Sequence, residues 1–140
     1  MLSLFEQKKN MMNYHFTKKI SGRSFEDTVQ KVTDELKSEG FGVLTEIDVK
    51  ETLKKKIDVD FRKYKILGAC NPHFAHKAIQ AEPHIGVFLP CNVIVQETGA
   101  DEIEVSAVDP IASMSSVENE NLNDIAGEVR LKLQTVIDKI

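Results

Sequence analysis

Residues 67–95 constrain the fold most, because three of the four prolines, both cysteines and three of the four histidines fall there. The stretch opens on Leu67-Gly68-Ala69-Cys70-Asn71-Pro72-His73-Phe74-Ala75-His76. After Pro83-His84-Ile85-Gly86 it closes on Val87-Phe88-Leu89-Pro90-Cys91-Asn92-Val93-Ile94-Val95. An apolar strand over 63–69 must stop at Asn71-Pro72. Asn is a good N-cap, and proline at the first helical position gives up only an amide that would be unpaired anyway. A short helix is therefore predicted from there to about Glu82, with Phe74, Ala75, Ala78 and Ile79 as its apolar stripe. Residues 86–96 give the clearest strand signal in the chain. Pro90 lies inside it and lacks a ladder amide, so an edge strand or a bulge is predicted.

The rest of the chain arranges itself around these elements. Alternation over 14–20 predicts a half-buried or edge strand. Ser24 and Asp27 form a near capping box for a helix whose stripe is Phe25, Val29, Val32 and Leu36, ended by Gly40 as a left-handed cap. Phe41, Val43, Thr45, Ile47 and Val49 then alternate as the inner face of a second strand, with Glu46 and Asp48 on the outer face. A short helix over 51–57 follows. Thr98-Gly99-Ala100-Asp101 is read as a hairpin turn into a strand over 102–108, whose outer face carries Glu102 and Glu104. A polar linker runs from Asp109-Pro110 to Ser116. The final helix, about 119–139, carries Leu122, Ile125, Val129, Leu133, Val136 and Ile140, with Gly127 inside it at a cost of about 1 kcal/mol relative to Ala unless a neighbour packs closely there.

This order predicts an α+β domain: a curved, mainly antiparallel sheet with helices on one face, in the sequence strand, helix, four strands and long helix, with a short inserted helix. Residues 1–11 are taken as an N-terminal extension and 12–140 as a single domain. A 140-residue chain with 41% hydrophobic and 29% charged residues suits one core. Its formal charge of −4 argues against nucleic acid or an anionic membrane as partner. The Lys54-Lys55-Lys56 run reads as a solvated face. The start lacks a secretory signal and no apolar run reaches the roughly 20 residues of a membrane span, so a cytoplasmic protein with reduced thiols is expected.

The words Gly68-Ala69-Cys70-Asn71-Pro72 and Phe88-Leu89-Pro90-Cys91-Asn92-Val93, with Ser106-Ala107-Val108-Asp109-Pro110 further on, resemble the recurring motifs of a bacterial and archaeal family called domain of unknown function 302. The resemblance extends over roughly residues 13–140. It implies a TATA-binding-protein-like arrangement, a curved sheet gripping a long C-terminal helix, and it implies no activity.

Candidate site residues come from the same words. Cys70 precedes a helix start, where the local partial positive charge stabilises a thiolate; the alternative is a small apolar residue closing a buried strand. Cys91 belongs to the core on strict alternation, unless a bulge at Pro90 changes its phase. Cys70, His73 and His76, three residues apart, could hold zinc with Cys91, His84 or water as the fourth ligand, although the spacing matches no known zinc signature. Asn71 reads as a helix cap, and Asn92 is a candidate without an assigned role. No phosphate loop, dinucleotide fingerprint or complete catalytic set is present, and whether the protein is an enzyme stays open. The expected function is a module that binds a small ligand or a partner between sheet and C-terminal helix. A homodimer is expected through the Pro90 strand or the first strand. The alternative is a thiol-based metal or redox site centred on Cys70 and Cys91.

Overall fold

The computed structural model of the chain describes residues 13–140. The N-terminal extension read over 1–11 lies outside the described residues. The elements are β1 (His15–Ile20), α1 (Phe25–Ser38), β2 (Gly42–Asp48), α2 (Val49–Ile57), β3 (Tyr64–Cys70), α3 (Pro72–Ala81), a 3-10 helix (Pro83–Phe88), β4 (Cys91–Gly99), β5 (Glu102–Val108), α4 (Pro110–Ser113) and α5 (Glu120–Asp138). All strand pairs are antiparallel, in the order β1-β5-β4-β3-β2. The fold is α+β, as expected.

The capping chemistry sets the helix boundaries. Ser24 Oγ accepts from the Asp27 amide at 3.0 Å and starts α1. Gly40, at φ +86, ends it in the left-handed region while the Phe41 amide donates back to the Leu36 carbonyl at 2.9 Å. Asn119 bonds two helix ends: its Oδ1 accepts from the Leu122 amide and caps α5, and its Nδ2 donates to the Ala81 carbonyl at 2.9 Å. That second bond ties the end of α3 to the start of α5. Helices α1 and α5 lie on one face of the sheet, where Phe25, Val32, Leu36, Leu133, Val136 and Ile137 join the inward residues of the strands in the main core.

Three local expectations are overturned. Residues 86–89 do not continue β4; they belong to the 3-10 turn and its exit, and Val87 is 82% exposed. Pro90 cannot donate to a ladder, so pairing begins only at Cys91. The strand that follows Pro90 is no edge: β4 is flanked by β3 and β5, and among the described residues the edges are β1 and β2.

The second correction is a register shift between Val43 and Thr45. The extra residue, Leu44, has no partner and is 68% exposed, and every later side chain of β2 changes face. Thr45 and Ile47 lie opposite Gly68 and Ile66 on the outer face. Glu46 and Asp48 lie opposite Leu67 and Lys65 on the inner one, where Glu46 meets the Lys65 ammonium at 2.7 Å. The third is the linker after Asp109, which contains the helical turn α4, started by Asp109 Oδ1 accepting from the Ile111 amide at 3.0 Å.

Candidate functional site

Antiparallel pairing brings the end of β3 beside the start of β4, with Ala69 opposite Cys91. This end of the sheet is not filled. A cavity of about 340 Å³ lies over it. Its floor is Ala69, Cys70 and Cys91. One wall is α3, through Phe74, Ala75, Ala78 and Ile79, and the other is the first half of α5 with Met114. Phe41, Leu44 and Thr45 form the lip. Among the described residues no charged side chain lines it, and its polar side chains are Thr45, Asn71 and the two cysteines. The space exists because alanines 69, 75, 78 and 126 stand where a closed core would carry larger residues.

Gly68 explains why the strands meet so closely here. A Cβ at Gly68 would overlap Thr45 Oγ1 and lie 2.8 Å from Pro90 Cγ, so β2 and the turn before β4 close over it only because it has no side chain. The bulge at Leu44 is what points Thr45 toward that spot. One glycine thus couples the lip of the cavity to its floor.

Cys91 is buried, at 8% exposure, and burial pushes its thiol up to about 11, with the neighbouring Cys70 thiol adding to the shift. Its sulfur is a protonated, weak nucleophile at neutral pH. Cys70 is half-buried, and neither cysteine is in a disulfide. Asn71 occupies the N-cap position of α3 but makes no capping hydrogen bond; its side chain turns inward instead. Its Nδ2 packs 3.0 Å from where a Cβ of Gly40 would stand, and its Oδ1 is buried without a partner among the described residues. The capping expectation fails because the left-handed Gly40 leaves room for the amide at the close of α1.

The other candidates separate from this site. Asn92 faces outward, opposite Gly68. His73 and His76 lie on the exposed side of α3, and the exposed His84 ring sits 3.4 Å from Glu82. Among the described residues, no group of three His, Cys, Asp or Glu side chains is placed to hold a metal ion. Of the acidic pairs, Glu46 meets Lys65, and Glu102 lies 3.6 Å from Lys19. Sequence reasoning missed Leu44, Met114 and Ala126. The bulge hides Leu44, whereas the alanines at 75, 78 and 126 were a readable sign of missing volume.

Fold and site together define a small α+β domain in which a five-stranded antiparallel sheet and its helices enclose an uncharged cavity at one end of the sheet. The family described as "Domain of unknown function DUF302" matches residues 16–140, and the chain belongs to that family. A crystal structure of an uncharacterized conserved DUF302 protein from Bacillus stearothermophilus is similar, with a TM-score of 0.83 and 28% identity, over 91% of this chain and 98% of that one. No curated protein matches. Among the described residues no helix is long and apolar enough to cross a membrane.

Proposed function

We propose that this domain binds a small, uncharged, apolar molecule in the cavity between the β3–β4 strand ends, α3 and the first half of α5. The observation that carries this reading is an apolar space of about 340 Å³ whose walls are kept back by alanines and which, among the described residues, no charged side chain enters. An ionised ligand would lose its hydration there with no counter-charge in return. The volume equals that of about eleven liquid waters and sits at the lower end of the range for small-molecule sites. A mono- or bicyclic ring system fits that space; a large cofactor does not.

The test is a titration of protein carrying ¹³C-labelled alanine methyl groups with naphthalene or indole, followed by NMR. Saturable shifts at Ala75, Ala78 and Ala126, lost in Ala126→Leu, support the reading. Shifts that never saturate, or that persist unchanged when the cavity is filled, overturn it.

A second reading concerns a partner. Leu44 and Ile47, exposed at 68% and 46%, lie on β2, which among the described residues is an edge strand with unpaired backbone groups on its outer side. A second copy of the chain paired there would cover them as a homodimer. Light scattering after gel filtration tests this: a dimer that Ile47→Lys converts to monomer supports it, and a monomer at all concentrations removes it.

A further inference from the structure

Building on the cavity reading above, on which this rests, we propose that the ligand is an aromatic N–H heterocycle of the indole or pyrrole type, which donates its one hydrogen bond to the side-chain carbonyl of Asn71. Leu67 and Ala69 are buried on the face of β3 that meets the helices. Asn71, still extended at φ −100 and ψ 107, continues the alternation onto that same face and joins the cavity lining. The two ends of its amide have different surroundings. Nδ2 lies 3.0 Å and Cγ 3.9 Å from where a Cβ of Gly40 would stand, and Oδ1 is farther off. Gly40 is not part of the lining, so the carbonyl is the end turned away from it. That Oδ1 is buried and has no hydrogen-bond partner among the described residues.

A buried carbonyl without a partner is destabilising, because it has given up hydration and gained no bond in return. The other polar side chains of the lining, Thr45 and the two cysteines, leave Oδ1 unbonded. A donor on the ligand supplies the missing partner. That donor must be neutral, since among the described residues no charged side chain lines the space to balance an ammonium or a guanidinium. It must also be the ligand's only strong polar group. A carbonyl or carboxylate on the same molecule could reach only Thr45 at the lip or a weakly donating thiol. An N–H within an aromatic ring meets both conditions because it donates and does not accept, whereas a phenol oxygen does both. The ring itself suits Phe41, Phe74 and Met114, since aromatic groups pack favourably on one another and on thioether sulfur.

The experiment compares indole with indene, a ring system of nearly the same shape that has no N–H. Each is titrated into ¹³C-labelled wild type and Asn71→Leu, with binding read by NMR at the alanine methyls. The preference for indole over indene is expected to be at least about 10-fold greater in wild type than in Asn71→Leu, the scale of leaving a buried polar group unpaired. Leucine has nearly the shape of asparagine, and Asn71 makes no capping bond that the substitution would remove. A second readout needs wild type alone, should Asn71→Leu not fold: the Asn71 side-chain carbonyl ¹³C signal moves when indole saturates the site and stays in place with indene. An indole-to-indene ratio that is the same in both chains, or a carbonyl signal that indene moves as far as indole does, overturns the proposal. Saturable methyl shifts would then still support binding in the cavity. If neither ligand saturates, the cavity reading fails and this one fails with it.

Discussion

Helix α5 crosses two regions of the molecule that its sequence pattern does not distinguish. Its second half sets Leu133 and Val136 against Leu67, Val93 and Val105, all with no exposed surface. Its first half sets Leu122, Ala126 and Val129 along the cavity wall. The helix and the sheet are the same in both. What differs is side-chain volume: leucine and valine close one end, and alanine leaves the other open. Periodicity tells which face is buried, and volume tells whether burial is complete.

The largest expected effect breaks the closed end. Leu133→Ala removes a side chain with no exposed surface from the packed centre and should cost about 2–5 kcal/mol in denaturant unfolding. Leu122→Ala, equally apolar and nearly as buried, only enlarges an existing space and should fall at about 2 kcal/mol, the bottom of that range. Equal losses would mean that the two ends are packed alike.

The next effect is a pH dependence that belongs to the open end. The Cys91 thiol titrates at about 11 in the folded chain instead of the ordinary 9.0. Between those values the unfolded chain has lost the proton and the folded chain retains it, so stability falls as pH rises. The contribution is complete below the unfolded value and disappears as pH passes the folded one. The gap between those two values corresponds to about 2–3 kcal/mol. Lysines titrate in the same range, so the measurement is the difference between wild type and Cys91→Ala unfolding from pH 8 to 11. A wild type with the same slope as the variant would show that the thiol is not desolvated.

Gly68 joins the two regions. Gly68→Ala places a methyl group against Thr45 and the stiff Pro90 ring and should cost about 1–3 kcal/mol. Thr45→Ala in the same chain should recover part of that loss and none of the remainder due to Pro90, a non-additivity that a double-mutant cycle measures.

Much of the closed end was legible in the sequence. The spacing of Phe25, Val32 and Leu36 and the stripe from Leu122 to Val136 gave the two long helices, and Ser24, Gly40 and Asn119 gave their boundaries. The open end was less so. Residues 86–89 are as apolar as a strand, and only the proline that follows them keeps them out of the ladder. The bulge at Leu44 answers a contact between Thr45 and Gly68 twenty-odd residues away, which no local pattern carries. Cys70, Asn71 and Cys91 stood out by residue type, and the cavity brings them together. Asn92, next in sequence, points the other way because strand neighbours alternate. The histidines follow the same logic on a helix: His73 and His76 lie on the side of α3 opposite its alanines.

The smallest effect sharpens the comparison most, because it uses adjacent residues of one helix. Gly127 does not line the cavity, and a Cβ there would meet nothing within 4 Å. The close packing that would have explained a glycine mid-helix is absent, so Gly127→Ala should stabilise the fold by about 0.5–1 kcal/mol through helix propensity and leave naphthalene binding unchanged. Ala126→Leu adds volume into the cavity itself. Filling an apolar void offsets the cost of crowding, so unfolding should move by less than about 1 kcal/mol in either direction, while binding is lost. If Ala126→Leu instead destabilises the chain as strongly as Leu133→Ala, the walls of the cavity are rigidly packed against each other and the space between them is too narrow for a ring. If it leaves both stability and binding unchanged, the ligand lies elsewhere. Stability retained with binding lost would mean that the alanines hold the cavity open for a ligand, since the fold itself does not require the space.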